Sequence, residues 1–281
     1  MLKDRVMFMS GGSRGIGLAI ATRAARDGVK VALMAKTAEP HPKLPGTIYT
    51  AAEEIEAAGG EALPIVGDIR DADAVEAGVA QAVELFGGID LVVNNASAIN
   101  LAPMRDLEVK RFDLMQQINP RGTFVVTRAC LPHLRESDHA HVLTLSPPLS
   151  ADPRWLKGHS AYTLSKMGMT MITLGVAADE AEAGIAANCL WPRTIIATAA
   201  VQNLLGGDEA MARSRMPEIV ADAAYEILSR DPRSCTGNAF IDDEVLAEAG
   251  IVDLDPYAGT TDGELALDIF VDGWPEPAAS Q

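Results

Sequence analysis

Short apolar runs alternate with longer amphipathic stretches along most of the chain. Apolar runs of strand length fall within residues 6–10, 30–35, 62–66, 89–93, 141–145, 185–190 and 236–242. The stretches between them place apolar residues at helical spacing, which indicates helices. Strands that alternate with helices form a parallel sheet, because each connection has to cross over the sheet. The pattern therefore predicts an α/β fold with a doubly wound parallel sheet of about seven strands and helices on both faces.

The first predicted strand ends in a glycine-rich turn at residues 10–17, and a helix follows. Glycines permit a tight turn and let a ligand approach the backbone closely. The new helix offers unpaired N–H groups and a positive dipole end, which suit a pyrophosphate. A purely structural turn is the alternative, because the spacing is Gly-x-x-x-Gly-x-Gly and not the standard Gly-x-Gly-x-x-Gly. The predicted cofactor-binding residues here are Gly11, Gly12, Ser13, Arg14, Gly15, Ile16 and Gly17.

Basic residues near the end of the second predicted strand bear on the choice of dinucleotide. An acid at this position would bind the ribose 2′-hydroxyl of NAD. The chain has Lys36 there, and Arg14 supplies a second cation, so the pair could bracket a 2′-phosphate. We therefore expect NADP(H) in preference to NAD(H), against the alternative that both bases are simply solvated. Asp68 and Asn95, which follow the third and fourth strands, complete the predicted cofactor site, although Asp68 could instead cap the next helix.

Tyr162 and Lys166 form the clearest chemical pair in the chain. They are four residues apart in a predicted helix and so share one face. A phenol can give a proton to a developing alkoxide when nearby positive charge lowers its pKa from about 10 toward neutrality. The alternative is a core aromatic residue beside a solvated cation, which is the default for such a short pattern.

Asn119 and Ser146 occupy two further positions with chemical potential. Asn119 precedes Pro120 within a long helix predicted over residues 107–134. Proline disfavours α geometry in the residue before it, so we expect a kink that frees the backbone carbonyl of Asn119 to hold a water. Ser146 follows the fifth strand, at the edge of the sheet where ligands of open α/β folds bind.

Charge and composition exclude several classes of protein. The 39 acidic and 23 basic residues give a net charge of −16, which opposes binding to nucleic acid or anionic lipid. No apolar run is long enough to cross a membrane and no secretion signal is apparent, so we expect a cytoplasmic protein. Cys130, Cys189 and Cys235 are widely spaced, which favours buried reduced thiols over a disulfide or a metal site. No metal is predicted.

Taken together, these motifs resemble the short-chain dehydrogenase/reductase family. The glycine turn, Asn94-Asn95-Ala96, Asn119, a serine after the fifth strand and Tyr162-x-x-x-Lys166 occur in the family's order and at about its spacing. Residues 35–43, 46–52, 146–149 and 190–192 resemble more closely the hydroxysteroid dehydrogenase-like protein 2 subfamily. The resemblance implies a single Rossmann-type domain over residues 1–281, in which residues 243–281 form a C-terminal extension. Members of that subfamily in animals also carry a C-terminal sterol-carrier-like domain, which we do not expect in this sequence.

The resemblance also implies an oxidoreductase that transfers hydride between NADP(H) and a carbonyl or alcohol substrate, with lipid metabolism implied only loosely. Tyr162 would be the acid–base, Lys166 would lower its pKa and bind the nicotinamide ribose, and Asn119 would hold a water. Ser146 would donate to the substrate oxygen, with Ser150 as the competing candidate because Pro147 falls in the functional slot. A homodimer or homotetramer is implied as well.

Two departures from the family pattern motivate a second hypothesis. The family's Pro-Gly after the sixth strand is replaced by Pro192-Arg193, and Arg193 could meet an anionic substrate group. The fifth strand ends in Ser146-Pro147-Pro148. The second hypothesis is therefore an NADP(H)-binding sensor or scaffold with weak or lost catalysis.

Overall fold

Buried apolar runs form the central strands of one parallel sheet. The computed structural model describes residues 2–42, 44–259 and 264–275. The strands are β1 (Val6–Ser10), β2 (Lys30–Ala35), β3 (Glu61–Val66), β4 (Leu91–Asn94), β5 (His141–Leu145), β6 (Ala186–Trp191) and β7 (Ala239–Ile241). β1, β4, β5 and β6 are buried along their whole length, as expected for strands with helices on both faces.

The strand order is β3-β2-β1-β4-β5-β6-β7, and every pairing is parallel. The predicted doubly wound Rossmann-type sheet of seven strands is thus confirmed. The order reverses between β1 and β4, which opens a crevice at the carboxyl ends of these strands. The glycine turn after β1 lies at this switch point.

Helices cover both faces of the sheet. They are α1 (Gly15–Ala25), α2 (Ile48–Ala57), α3 (Ala72–Phe86), α4 (Val109–Ile118), α5 (Pro120–Leu134), α6 (Pro153–Leu156), α7 (Ser160–Asp179), α8 (Ala199–Leu204), α9 (Gly207–Ala212), α10 (Glu218–Ser229) and α11 (Asp242–Glu248). One apolar core packs α1, α2, α10 and α11 against the sheet, and a second packs α3, α5 and α7 against the other face. Among the described residues, no helix combines the length and apolar character needed to cross a bilayer.

The long helix predicted over residues 107–134 is divided at Asn119 into α4 and α5. The kink at Asn119 is therefore as expected, but the backbone carbonyl of Asn119 is not free as predicted. The Asn119 carbonyl accepts a hydrogen bond from the Thr123 N–H at 3.1 Å. Proline lacks the N–H that would bond to the carbonyl four residues earlier, so Pro120 leaves the carbonyl of Gln116 without its helical donor instead.

Asp71, and not Asp68, caps α3. One Asp71 carboxylate oxygen accepts from the backbone N–H groups of Asp73 and Ala74. The proposed capping role of Asp68 was wrong because the helix begins later than its side chain can reach. Asp68 instead forms ion pairs with Lys36 and Arg70.

The acidic C-terminal part of the chain returns to the crevice. After α11 and a short 3₁₀ turn (Asp255–Tyr257), residues 264–275 lie against the exit loop of β6, and we call them the return segment. The Ile195 N–H donates to the Ala266 carbonyl at 3.0 Å, and the Asp268 N–H donates to the Arg193 carbonyl at 2.8 Å. The remaining residues of the predicted extension, 260–263 and 276–281, lie outside the described residues.

Candidate active site

The glycine turn is packed so closely that side chains would not fit. A Cβ atom on Gly11, which has a φ of +78°, would come within 2.7 Å of the Ala96 Cα. A Cβ on Gly17 would lie 2.4 Å from the Asn95 Nδ2, which itself donates to the Gly11 carbonyl at 2.7 Å. The Cβ-free backbone leaves a smooth cradle between β1 and β4. Such a cradle suits a phosphate group in close contact with the backbone.

The first turn of α1 faces this cradle without a side-chain cap. Its N-cap residue is Arg14, which has extended backbone angles and makes no capping hydrogen bond. The N–H groups at a helix start and the positive dipole end therefore remain available to an anion. Glycine turn and helix start together fit the pyrophosphate of a dinucleotide.

Arg14 and Lys36 both line the crevice, but each already has partners. The Arg14 guanidinium donates to the carbonyls of Pro45 at 2.9 Å and Gly46 at 3.0 Å, which holds the loop after β2 in place. The Lys36 Nζ lies 3.3 Å from an Asp68 carboxylate oxygen, and 60% of its side chain is exposed. Hydrogen bonds from Arg70 are the main reason why the pKa of Asp68 is far below its usual value. Lys36 is therefore the more accessible of the two cations for an incoming phosphate.

A cavity of about 1670 Å³ extends from the glycine turn to Tyr162 and Lys166. It exceeds the 300–1,000 Å³ or so of a pocket for one small ligand, so it can hold a dinucleotide together with a second molecule. Trp191, Met211 and Met216 contribute apolar surface to its walls. The predicted site residues that line it are Gly11, Ser13, Arg14, Gly15, Ile16, Lys36, Asp68, Asn95, Tyr162 and Lys166.

The Tyr162–Lys166 pair lies at the buried end of this cavity. Tyr162 is 5% exposed, and its ring stacks on Phe270 of the return segment with 6.3 Å between centroids. The Lys166 ammonium donates to the Leu145 carbonyl at 2.5 Å and lies 5.0 Å from the centroid of the Trp191 ring. The end of β5 thus fixes the lysine beside the tyrosine.

Burial changes the proton affinities of this pair. It lowers the pKa of Lys166 to about 7, although the nearby Asp268 acts in the opposite direction. It raises the pKa of Tyr162 well above the usual value, and the charge of Asp268 adds to that increase. Burial and the charge of Asp268 thus outweigh the influence of Lys166 on the phenol in this structure.

Asn119 does not line the cavity but connects elements that surround it. Its side-chain oxygen accepts from the Ala98 N–H at 2.7 Å, and its amide donates to the Ala98 carbonyl at 3.0 Å and to the Ser165 hydroxyl at 2.9 Å. These bonds join α4, α7 and the loop after β4. Because its backbone carbonyl is also engaged, Asn119 acts in this structure as a clamp between elements.

The serines predicted to meet the substrate oxygen are turned elsewhere. Ser146 is fully buried, and its hydroxyl accepts from the Thr170 hydroxyl at 2.9 Å. The Ser150 hydroxyl accepts from the Asp152 N–H at 3.2 Å within its own loop. In the described part of the chain, neither serine lines the cavity that contains Tyr162.

Arg193 does not face a substrate, and this expectation was wrong. It is 4% exposed, and its guanidinium donates to Asp243 at 2.6 Å, to Glu244 and to the Gly273 carbonyl. The two carboxylates come from the start of α11, and the carbonyl comes from the return segment. Arg193 therefore fastens the C-terminal extension to the exit loop of β6.

Asp268 and Phe270 are site residues that the sequence did not indicate. Both belong to the acidic, irregular stretch after β7, in which neither hydrophobic periodicity nor a motif marks them. Asp268 lines the cavity with Tyr162 and Lys166, and Phe270 packs on the Tyr162 ring. Only the return of the chain over more than 70 residues from β6 brings them to the site.

Comparison with known proteins agrees with this geometry. A family model for short chain dehydrogenases matches residues 5–207. The chain belongs to the short-chain dehydrogenase/reductase family. Hydroxysteroid dehydrogenase-like protein 2 of Xenopus tropicalis is 53% identical over 274 residues, which are 98% of this chain and 65% of that protein. The chain thus spans between about half and two thirds of the length of the curated relatives that it matches.

Solved structures of the same family are similar over most of the chain. A short chain dehydrogenase from Mycobacterium thermoresistibile is 59% identical with a TM-score of 0.93, and the match covers 99% of this chain and 98% of the other. A blue fluorescent protein from a metagenomic library, solved in complex with NADPH, is 27% identical with a TM-score of 0.74. That match covers 85% of this chain and 96% of the other.

Proposed function

We propose that this short-chain dehydrogenase/reductase is an NADP(H)-dependent enzyme that transfers hydride between nicotinamide and a carbonyl or alcohol substrate. The observation that carries the proposal is the shared cavity, which joins the glycine turn at one end to Tyr162 and Lys166 at the other. The phosphate-binding end would hold the dinucleotide through Gly11, Gly15 and the N-terminus of α1. A reduced nicotinamide, when bound, supplies the hydride.

Tyr162 provides the proton in the direction of reduction. As the carbonyl carbon gains hydride, the π-electron pair of the C=O bond moves onto oxygen, which then needs one proton. The Tyr162 O–H bond breaks and gives that proton to the oxygen, and the resulting phenolate is stabilised by the neighbouring Lys166 ammonium. A proton from solvent restores the phenol, and alcohol oxidation follows the same steps in reverse.

A search for turnover tests the proposal. NADPH oxidation is followed with decanal, acetophenone and 9,10-phenanthrenequinone, and NADP⁺ reduction with the corresponding alcohols. We expect turnover of at least one carbonyl. The positions of Ser146 and Ser150 favour the second candidate, a sensor or scaffold that binds NADP(H) without efficient chemistry. NADPH binding without any turnover across a broader carbonyl panel would favour that candidate.

Replacing Lys36 with alanine tests the preference for NADP(H). A charge-assisted hydrogen bond contributes about 1.5–3 kcal/mol, so Lys36→Ala should raise the dissociation constant of NADPH about 10-fold or more. The dissociation constant of NADH, which lacks the 2′-phosphate, should stay within about twofold of the wild-type value. Lys110→Ala is the control, because Lys110 has 72% of its side chain exposed and lies outside the cavity. An equal loss for both dinucleotides would contradict the assignment.

We also propose a homodimer or homotetramer that forms through α5 and α7. These helices expose apolar side chains on their outer faces, namely Phe124, Leu164 and Met171, each more than half exposed. Burial of such side chains between subunits is favourable. Sedimentation equilibrium should therefore give the mass of a dimer or a tetramer, and a monomer at micromolar concentration would refute this proposal.

A further inference from the structure

The substrate oxygen lacks its expected second donor at the end of β5. A developing oxyanion is best stabilised by preorganised hydrogen-bond donors, of which Tyr162 would be one. The Ser146 hydroxyl is buried against Thr170, and the Ser150 hydroxyl is held within its own loop. Pro147 has no N–H to offer. Among the residues that the structure describes, no serine after β5 therefore presents its hydroxyl to the cavity near Tyr162.

Asp268 lies in the same cavity and is held rigidly there. Its N–H donates to the Arg193 carbonyl at 2.8 Å, and its Oδ1 accepts from the Ile269 N–H at 2.6 Å. The next turn of chain is fixed as well, because the Trp191 indole donates to the Ile269 carbonyl at 2.8 Å and Phe270 stacks on the Tyr162 ring. Within the ranges that the structure describes, the Asp268 Oδ2 has no hydrogen-bond partner, so it is available to a ligand.

The surroundings of Asp268, and above all its burial, favour the neutral form of its carboxyl much more than water does. Burial raises the pKa of Asp268 to about 7, and the negative charge of Asp242 from α11 acts in the same direction. The Ile269 N–H and the Lys166 ammonium from α7 act in the opposite direction and are outweighed. The protonated form therefore predominates as the pH falls below about 7, and a neutral carboxyl in the same cavity as a tyrosine hydroxyl can donate to an oxyanion.

We propose that Asp268 is a further catalytic residue, whose neutral carboxyl donates a second hydrogen bond to the substrate oxygen beside Tyr162. It would take the part that a serine after β5 would otherwise play. No bond to Asp268 is made or broken: the proton that reaches the substrate oxygen comes from Tyr162, and the carboxyl keeps its own. The neutral form also removes the negative charge that would oppose a Tyr162 phenolate. This inference rests on the function proposed above.

A pair of substitutions separates hydrogen-bond donation from charge. Asparagine keeps an N–H donor and an oxygen that can accept from the Ile269 N–H, whereas alanine keeps neither. With a carbonyl probe that the wild type reduces, Asp268→Ala should lower kcat about 100-fold, because loss of one oxyanion donor costs about 10²–10³ in rate. Asp268→Asn should stay within about fivefold of the wild type. The NADPH dissociation constant should change less than twofold in both variants. A substitution that merely damaged the structure of the cavity would weaken NADPH binding as well.

Asp272→Asn is the matched control, since Asp272 belongs to the same segment but has 80% of its side chain exposed and lies outside the cavity. Its kcat should equal that of the wild type. If Asp268→Asn loses as much activity as Asp268→Ala, the charge of Asp268 matters and the donor inference is wrong. If Asp268→Ala is fully active while Tyr162→Phe is inactive, the inference fails and the proposed function survives.

A titration tests the inference without any turnover. Carbon-13 NMR of protein labelled at the aspartate carboxyls, with the Asp268 signal assigned by its loss in Asp268→Asn, follows protonation directly. We expect this carboxyl to titrate near pH 7, about three units above an ordinary aspartate. A carboxyl that stays ionised from about pH 5 to 8 would overturn the inference whether or not a carbonyl is reduced.

Discussion

Replacing Tyr162 with phenylalanine should abolish carbonyl reduction while NADPH still binds within about twofold of the wild-type affinity. The phenylalanine ring keeps the buried stacking with Phe270 at 6.3 Å between centroids, so the cavity wall remains in place. What is lost is the O–H group, the proton source for the substrate oxygen. A positioned general acid contributes about 10²–10⁴ in rate, and kcat should fall by about 10³ or more.

Steady-state kinetics and a fluorescence titration of NADPH measure the two quantities separately. Tyr49→Phe is the control, because the Tyr49 side chain is about half exposed on α2 and lies outside the cavity. It should have wild-type kcat and wild-type affinity. Turnover by Tyr162→Phe within about tenfold of the wild type would show that another group delivers the proton.

The largest loss of stability should come from Arg193. This side chain is 4% exposed and is bound to Asp243, which is 7% exposed, and to Glu244. Arg193→Met keeps much of the aliphatic packing but leaves the buried Asp243 carboxylate with Arg215 as its remaining ion partner, at 4.0 Å. Removing one partner of a buried ion pair costs about 3–5 kcal/mol. The free energy of unfolding should therefore fall by about 3 kcal/mol or more.

Urea denaturation measures this difference, provided that the wild type and the variant unfold with the same m value. Arg105→Met is the matched control, because Arg105 has 85% of its side chain exposed and pairs with the exposed Asp106. Exposed pairs contribute about 0–1 kcal/mol, so the control should be nearly as stable as the wild type. Equal stability of Arg193→Met and Arg105→Met would refute the structural role assigned to Arg193.

The sequence predicts the fold well because most residues of the strands are apolar. β1 and β5 can be predicted directly from their apolar residues, and the switch from strand to helix after Gly11 marks the turn at which we expect a phosphate to bind. The pairing of Tyr162 with Lys166 can also be predicted, because residues four positions apart in a helix lie on the same face. Local rules suffice for all of these features.

Features that depend on distant parts of the chain escape prediction. Whether Ser146 faces the cavity or Thr170 depends on how β5 packs against α7. The partners of Arg193 come from α11 and the return segment, and Asp268 reaches Tyr162 only because that segment folds back. The pKa of Tyr162 depends on the resulting burial, which no spacing of residues reveals.

The account depends on one spatial claim, that a dinucleotide bound at the glycine turn extends its reactive end to Tyr162 and Lys166. A crystal structure of the protein with NADPH tests this claim most directly. We expect the pyrophosphate at the start of α1 and the nicotinamide ring beside the Tyr162 hydroxyl, under the exit loop of β6. A nicotinamide ring outside the cavity, with Tyr162 still covered by Phe270 and the return segment, would contradict it.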